Sequence, residues 1–365
     1  MRILCAGGGT LGSVTPLIAI IEELRSRMER DAVGQPDVLW IGTKKGVEKD
    51  IVCASDIPFH SIYTGKLRQY FDVRNLIDPF LLCIGIIQSL IAILRFRPDV
   101  IIGAGSFVSV PVLWAGWLLR KRAMILQLDI VPSLSNLLTS FCAQAILVAC
   151  KEEERFFPSR KTHTIGIPVR LLVQDWKQKM EHESERRSAR ESFGIHDDLP
   201  VAVVMGGGTG SQFINALIME SVSDLEGVCH IIHIIGKGKA PDGYATLSHY
   251  HHYEFLTDRL IIALALADVV VTRAGMGSLA ELSALGKPCI IIPIPHSHQE
   301  QNALYFEKRN AALYCSQDSL TKKMFGEKMK KLFHDTLMRE EYSLRMSQAL
   351  EGGARQRSVD ILLSL

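Results

Sequence analysis

Short apolar runs alternate with amphipathic stretches along almost the whole chain. Residues 2–5 read as a strand, followed by the glycine-rich turn Gly7-Gly8-Gly9-Thr10-Leu11-Gly12-Ser13 and a helix over 16–28. The alternation continues with strands at 38–42, 100–103, 123–128 and 145–148, and helices near 47–53, 76–96, 110–119, 134–141 and 151–156. Residues 174–193 are dense in charge and lack an apolar stripe, which predicts an exposed helical connection with a domain boundary just before or within it. A second series opens at 201–205 with Gly206-Gly207-Gly208-Thr209-Gly210-Ser211 and places strands at 229–235, 269–272 and 290–293. The chain after Leu320 reads as helical. Strand–helix alternation implies parallel sheets covered on both faces. The fold class is α/β, with two Rossmann-like domains, 1–168 and 169–340, expected to face each other across a cleft.

Composition narrows the class. At 365 residues the chain is long enough for two cores, and 47% hydrophobic with 22% charged residues is a globular balance. A formal net charge of +2 gives no reason to expect nucleic acid as a partner. The eight cysteines are scattered through apolar runs without a Cys-x-x-Cys pair, so free buried thiols are expected. The first residues read as a strand and not as a signal peptide. The longest apolar run, 80–94, is shorter than a membrane span needs and is flanked by Arg95 and Arg97. It fits either a core helix or one lying on an anionic leaflet, so the protein is expected to be soluble or peripheral.

The stretch from Arg273 to Asn302 concentrates the candidate chemistry. Gly275 and Gly277 stand at a strand-to-helix turn, where the helix start offers unpaired N–H groups to a diphosphate. Glu281, one turn further, is placed to accept hydrogen bonds from a ribose. His296, Ser297, His298 and Gln299 can bind hydroxyls. No Asp-x-Asp pair is present to hold a metal, and neither metal nor cofactor is expected. The run His249-Tyr250-His251-His252 lacks ligand spacing and is read as a solvated turn.

At this point several motifs match in order: GGGT-x-G-x-V-x-P at 7–16, GKLRQYFD at 65–72, GSFVSVP at 105–111, GIPVR at 166–170, MGGGTGSQFIN at 205–215, the Glu281 helix, and His298-Gln299-x-x-Asn302. The chain resembles the MurG family of UDP-N-acetylglucosamine:undecaprenyl-pyrophosphoryl-MurNAc-pentapeptide N-acetylglucosaminyltransferases. The resemblance implies a GT-B fold, an N-terminal acceptor domain facing the cytoplasmic side of the membrane, and a C-terminal UDP-GlcNAc domain. It also implies a final helical segment, 341–365, that packs back on the N-terminal domain. On the donor side it implies roles for Thr10, Gly12, Arg170, Gly208, Leu256 (reading the uracil through its backbone), Met276, Gly277, Ser278, Glu281, His298 and Gln299. On the acceptor side it implies Gly9, Lys66, Arg68 and Phe107, with the undecaprenyl-linked lipid I as acceptor.

The implied reaction inverts the anomeric carbon: the MurNAc C4 hydroxyl attacks GlcNAc and UDP leaves. It needs a base for the hydroxyl and neutralisation of the diphosphate. Three positions depart from the family pattern. Ser13 stands where the family usually has histidine, and serine is too weakly basic to replace it. Leu126-Gln127-Leu128-Asp129 stands for His-Glu-x-Asn or His-Glu-x-Asp, and Gly208 for serine. Asp129 is therefore the candidate base or orienting group, with Ser13 binding the acceptor; a helix cap is the competing role for Asp129. The altered acceptor side keeps open another UDP-sugar GT-B transferase or a non-catalytic UDP-sugar binder. The glycine turn at 7–12 fits a nicotinamide-dependent oxidoreductase poorly.

Overall fold

The computed structural model describes residues 1–9, 11–44, 46, 48–65, 78–208, 210–239 and 247–365. The chain divides into two compact units: Met1–Arg170 with Glu351–Leu365, and Leu171–Leu350.

Unit 1 runs β1 (Arg2–Ala6), α1 (Thr15–Arg30), β2 (Asp37–Thr43), α2 (Glu48–Ala54), β3 (Phe59–Ile62), α3 (Asp78–Phe96), β4 (Val100–Gly103), α4 (Ser109–Leu118), β5 (Arg122–Leu126), α5 (Leu134–Thr139), β6 (Ala145–Val148) and β7 (Thr162–Thr164). Its seven strands form one parallel sheet in the order β3-β2-β1-β4-β5-β6-β7. Every residue of β4 and β6 is buried, which is why VIIG and AILV are unbroken apolar runs and do not alternate.

Unit 2 runs α6 (Leu171–Lys179), α7 (Glu183–Ser192), β8 (Val201–Met205), α8 (Gln212–Ser221), β9 (His230–Ile234), β10 (Tyr250–Tyr253), α9 (Asp258–Leu266), β11 (Val269–Thr272), α10 (Met276–Leu285), β12 (Cys289–Ile291), α11 (His298–Glu307), β13 (Ala312–Tyr314), α12 (Lys322–His334) and α13 (Thr336–Gln348). Its six strands are again parallel, ordered β10-β9-β8-β11-β12-β13. The last helix, α14 (Ala354–Ser364), returns to unit 1 and packs on α1.

Some readings change. The run at 249–252 is no solvated turn: Tyr250–Tyr253 is the edge strand β10, and His249 is buried with its ring hydrogen-bonded to the Val222 carbonyl. The charged connection resolves into α6 and α7, which bury Val173 and Ala189 and pack on α9. Residues 151–156 form a 3-10 helix. The long helix expected from 76 is described from Asp78, and residues 76–77 lie outside the described residues. The chain leaves unit 1 after Arg170 and rejoins it at Glu351; residues 341–350 lie in unit 2. Of the cysteines, Cys53 and Cys83 are exposed and the other six are buried.

α14 is tied to α1 by a buried ion pair, with Arg355 Nε 2.9 Å from Glu23 Oε2 and both side chains under one-tenth exposed. Arg27 and Asp360 pair at the surface of the same contact. Removing one member of a buried pair strands the other charge. Glu23→Ala is therefore expected to cost about 3–5 kcal/mol, read as a lowered urea midpoint together with faster proteolysis at α14.

Candidate functional site

In each sheet the strand order reverses direction between two neighbouring strands, β1 and β4 in unit 1 and β8 and β11 in unit 2. Loops leaving the carboxyl ends of such strands diverge to opposite faces and leave a crevice for a ligand. The glycine turns and the predicted site residues that follow β1, β4, β8 and β11 all sit at these crevices.

In unit 2 the described residues of the two turns at the crevice are 206–208, 210–211 and 273–277. α10 starts after Gly275, which has no side chain to cap it, so the first N–H groups, Met276 to Ser278, keep no capping partner from that position. A Cβ on Gly275 or Gly207 would meet nothing within 4 Å, which marks open space on this side. Arg273, which opens this turn, is 8% exposed. Its Nη1 donates to the carbonyls of Ile292 and Pro293, each at 2.9 Å, and its Nη2 to Ser211 Oγ at 2.7 Å. Burial lowers its pKa from the usual guanidinium value. Ser211 in turn caps α8 by accepting from Ile214 N at 3.3 Å. Asn302 Nδ2 donates to Ala274 O at 3.0 Å. One guanidinium thus braces the turns after β8, β11 and β12.

The other expected donor-side residues are placed within their own units. Glu281 is buried one turn into α10. Gly208 is exposed in the first turn, and Leu256 is buried in the loop after β10. His298, at the start of α11, is exposed; Gln299 Oε1 accepts from Ile294 N at 3.2 Å and so shapes the loop that holds them. Arg170 is half-buried at the end of unit 1. Asn215, on α8, bonds Ile235 O and Lys239 O and meets His233 Nε2 at 3.1 Å. Burial drops His233 to about 3, so this support is neutral near pH 7.

In unit 1 the turn after β1 meets the turn after β4. A Cβ on Gly9 would stand 3.0 Å from Phe107 Cε1, and Gly9 has φ +82°, so the acceptor-side pair Gly9 and Phe107 is brought together and position 9 needs glycine. Gly12 is half-buried, while Ser13 is buried and its Oγ donates to Gly8 O at 3.4 Å. Thr10, Lys66 and Arg68 lie outside the described residues. Asp129, half-buried, follows β5. Gln127 Nε2 donates to its carbonyl at 2.6 Å, and Asn136 Nδ2 donates to Gln127 Oε1 at 2.7 Å and to Leu126 O at 3.1 Å. Helix α5 is capped by Ser133 and not by Asp129. The neighbouring Glu153 is buried and pushed up to about 9, chiefly by desolvation and with a contribution from the charge of Asp129, so it is neutral at pH 7.

The N-terminal domain model of glycosyltransferase family 28 matches residues 3–148, and its C-terminal domain model matches residues 201–357. The chain belongs to glycosyltransferase family 28. The chain is 33% identical over 338 residues, 92% of each chain, to a Bacillus anthracis UDP-N-acetylglucosamine--N-acetylmuramyl-(pentapeptide) pyrophosphoryl-undecaprenol N-acetylglucosamine transferase. A Legionella pneumophila protein of the same description is 35% identical over 325 residues, 88% of this chain and 85% of that protein. Among solved structures, Acinetobacter baumannii MurG superposes with a TM-score of 0.73 at 21% identity, covering 100% of this chain and 99% of the other. A Neisseria meningitidis UDP-GlcNAc 2-epimerase bound to UDP-GlcNAc gives 0.73 at 13% identity, with 100% of each chain covered. These two likenesses establish the two-domain GT-B fold.

The sequence pattern does not single out three bracing residues: Arg273 reads only as the residue opening the α10 turn, Asn136 only as part of a helix, and Glu48 only as part of the helix near 47–53. The signal was present for Glu48, an acid opening a helix just after a glycine-bearing loop. Its partners could not be read. Arg273→Met in this family 28 protein removes the donor to the Ile292 and Pro293 carbonyls, at about 1–3 kcal/mol for each group left unsatisfied, while Ser211 Oγ keeps the Ile214 amide. Its urea unfolding midpoint is expected to fall clearly, and Arg273→Lys, which can reach fewer of the acceptors, is expected to recover only part of the loss.

Proposed function

We propose that this enzyme transfers GlcNAc from UDP-GlcNAc to the C4 hydroxyl of MurNAc in undecaprenyl-pyrophosphoryl-MurNAc-pentapeptide, with inversion. The observation that carries this reading is the match, over about nine-tenths of the chain, to relatives named for that transfer. Unit 2 is the donor domain: the start of α10 at Met276, Gly277 and Ser278 takes the diphosphate, Glu281 the ribose hydroxyls, Leu256 the uracil, and His298 and Gln299 the GlcNAc hydroxyls. The resemblance assigns Thr10, Gly12, Arg170 and Gly208 to the donor as well. Unit 1 is the acceptor domain, where Gly9, Phe107 and Ser13 shape the binding turn.

Charge developing on the departing diphosphate is met by the helix dipole and by the N–H groups at the uncapped start of α10. The attacking hydroxyl needs a base, and Asp129 is the ionisable group left by the replacements at Ser13 and Leu126. Support comes from its partial exposure at the carboxyl edge of the sheet and from the Asn136–Gln127 chain that fixes its backbone. UDP release is expected to depend on a lipid I analogue, to persist in EDTA, and to fall about 10²–10⁴-fold in Asp129→Asn. Release unchanged in that variant would remove Asp129 from the role while keeping the transferase. Absence of acceptor-dependent release from the wild type would reject the transfer itself.

The acceptor's lipid tail calls for a membrane-facing surface. Among the described residues α3 is the one helix long and apolar enough to cross a bilayer, yet only 17% of its apolar window is buried. Its seam of Gly85, Ser89 and Ile93 is buried, and a Cβ on Gly85 would run into Tyr63 O and come within 3.4 Å of Pro111. A helix fastened along one side lies on the protein surface. Phe80, Ile84, Ile87, Ile91 and Leu94 face out, as do Arg95 and Arg97. This arrangement supports peripheral docking on the cytoplasmic leaflet. Ile87→Glu with Ile91→Glu is expected to release the protein from anionic vesicles in a flotation assay, and unchanged flotation would reject α3 as the docking face.

A further inference from the structure

Glu48 is wholly buried at the start of α2, yet no part of the transfer described above uses it. Its Oε1 accepts from Thr43 N at 2.8 Å and from Thr43 Oγ1 at 2.5 Å, and its Oε2 accepts from Gly9 N at 3.3 Å. The carboxyl group therefore links the end of β2 to the glycine turn after β1. Two glycines make room for it. A Cβ on Gly8 or Gly46 would overlap the carboxyl oxygens, whereas one on Gly42 would run into the Phe59 ring at 2.5 Å. Gly8 has no positive φ, so close approach to Glu48, and not backbone conformation, explains its missing side chain. Gly9 is pressed from the other side by Phe107. The turn is thus held between an aromatic ring and a buried carboxyl group.

We propose that Glu48 is a positioning residue for the acceptor: by holding the Gly9 amide it fixes the turn that binds the attacking sugar. This rests on the assignment of unit 1 to the acceptor. The geometry predicts a division of effects. Loosening the turn should displace the acceptor and leave the donor loops of unit 2 as they were. Misplacing a reacting group by about an ångström is enough to cost on the order of 10²-fold in rate.

Glu48→Gln keeps the shape but turns an amide NH2 toward donors that need an acceptor. Two measurements are made on the full-length protein: hydrogen exchange of the peptide spanning Gly9, and steady-state kinetics against UDP-GlcNAc and a lipid I analogue. Exchange at the turn is expected to rise roughly tenfold or more, and kcat/KM for the acceptor to fall roughly 10–100-fold, with the KM for UDP-GlcNAc within about twofold of wild type. Thr43→Val, which removes one donor from the carboxyl group, is expected to show the same division more weakly and serves if Glu48→Gln fails to fold. Unchanged exchange in a folded variant overturns the anchor. Raised exchange with unchanged acceptor kinetics overturns its role in positioning, as does equal loss on donor and acceptor. A wild-type protein without acceptor-dependent turnover would sink the transferase reading and with it the positioning of an acceptor, while exchange would still decide whether Glu48 holds the turn.

Discussion

The donor half depends on one desolvated cation. A guanidinium taken out of water must have its N–H groups met, and Arg273 meets them with the Ile292 and Pro293 carbonyls and the Ser211 hydroxyl. Those acceptors belong to different loops, so the charge is satisfied only when the turns after β8, β11 and β12 are assembled together. The first amides of α10 receive no side-chain cap from Gly275.

Unit 1 solves a similar problem with the opposite charge. Its sheet has the same point of reversal and the same glycine turn after the first strand, yet the brace is a buried carboxyl group that accepts hydrogen bonds from backbone and threonine donors. The two units thus differ in the groups they leave at the crevice. Around Arg273 carbonyls are consumed and amides remain, which suits an anion. Around Glu48 the Gly9 amide is consumed, which suits a turn that supports a sugar.

The strand–glycine–helix openings were legible because each is local: an apolar run buried on both faces, then glycines, then an amphipathic repeat. Edge strands were harder. β7 reads Thr-His-Thr and β10 reads Tyr-His-His-Tyr, and neither resembles a central strand because an edge is half covered. Their pairing with β6 and β9 comes from the sheet and not from their own pattern. The braces were harder still. Ser211 is 62 residues from Arg273, and Gly9 is 39 from Glu48. No periodicity carries contacts at such separations. The resemblance names residues expected to meet a ligand but says less about those that brace their loops.

The return of α14 to unit 1 also sets an order of events during synthesis. Glu23 emerges early on α1, but Arg355 follows 332 residues later. At the usual pace of translation, about 5–20 residues per second, α1 waits roughly 20–60 s for the helix that covers it. Residues 171–350 are complete before that, so unit 2 can close while unit 1 still exposes part of α1. The domain that begins first is therefore the one that finishes last. In the cell, that interval is when a chaperone would find the chain.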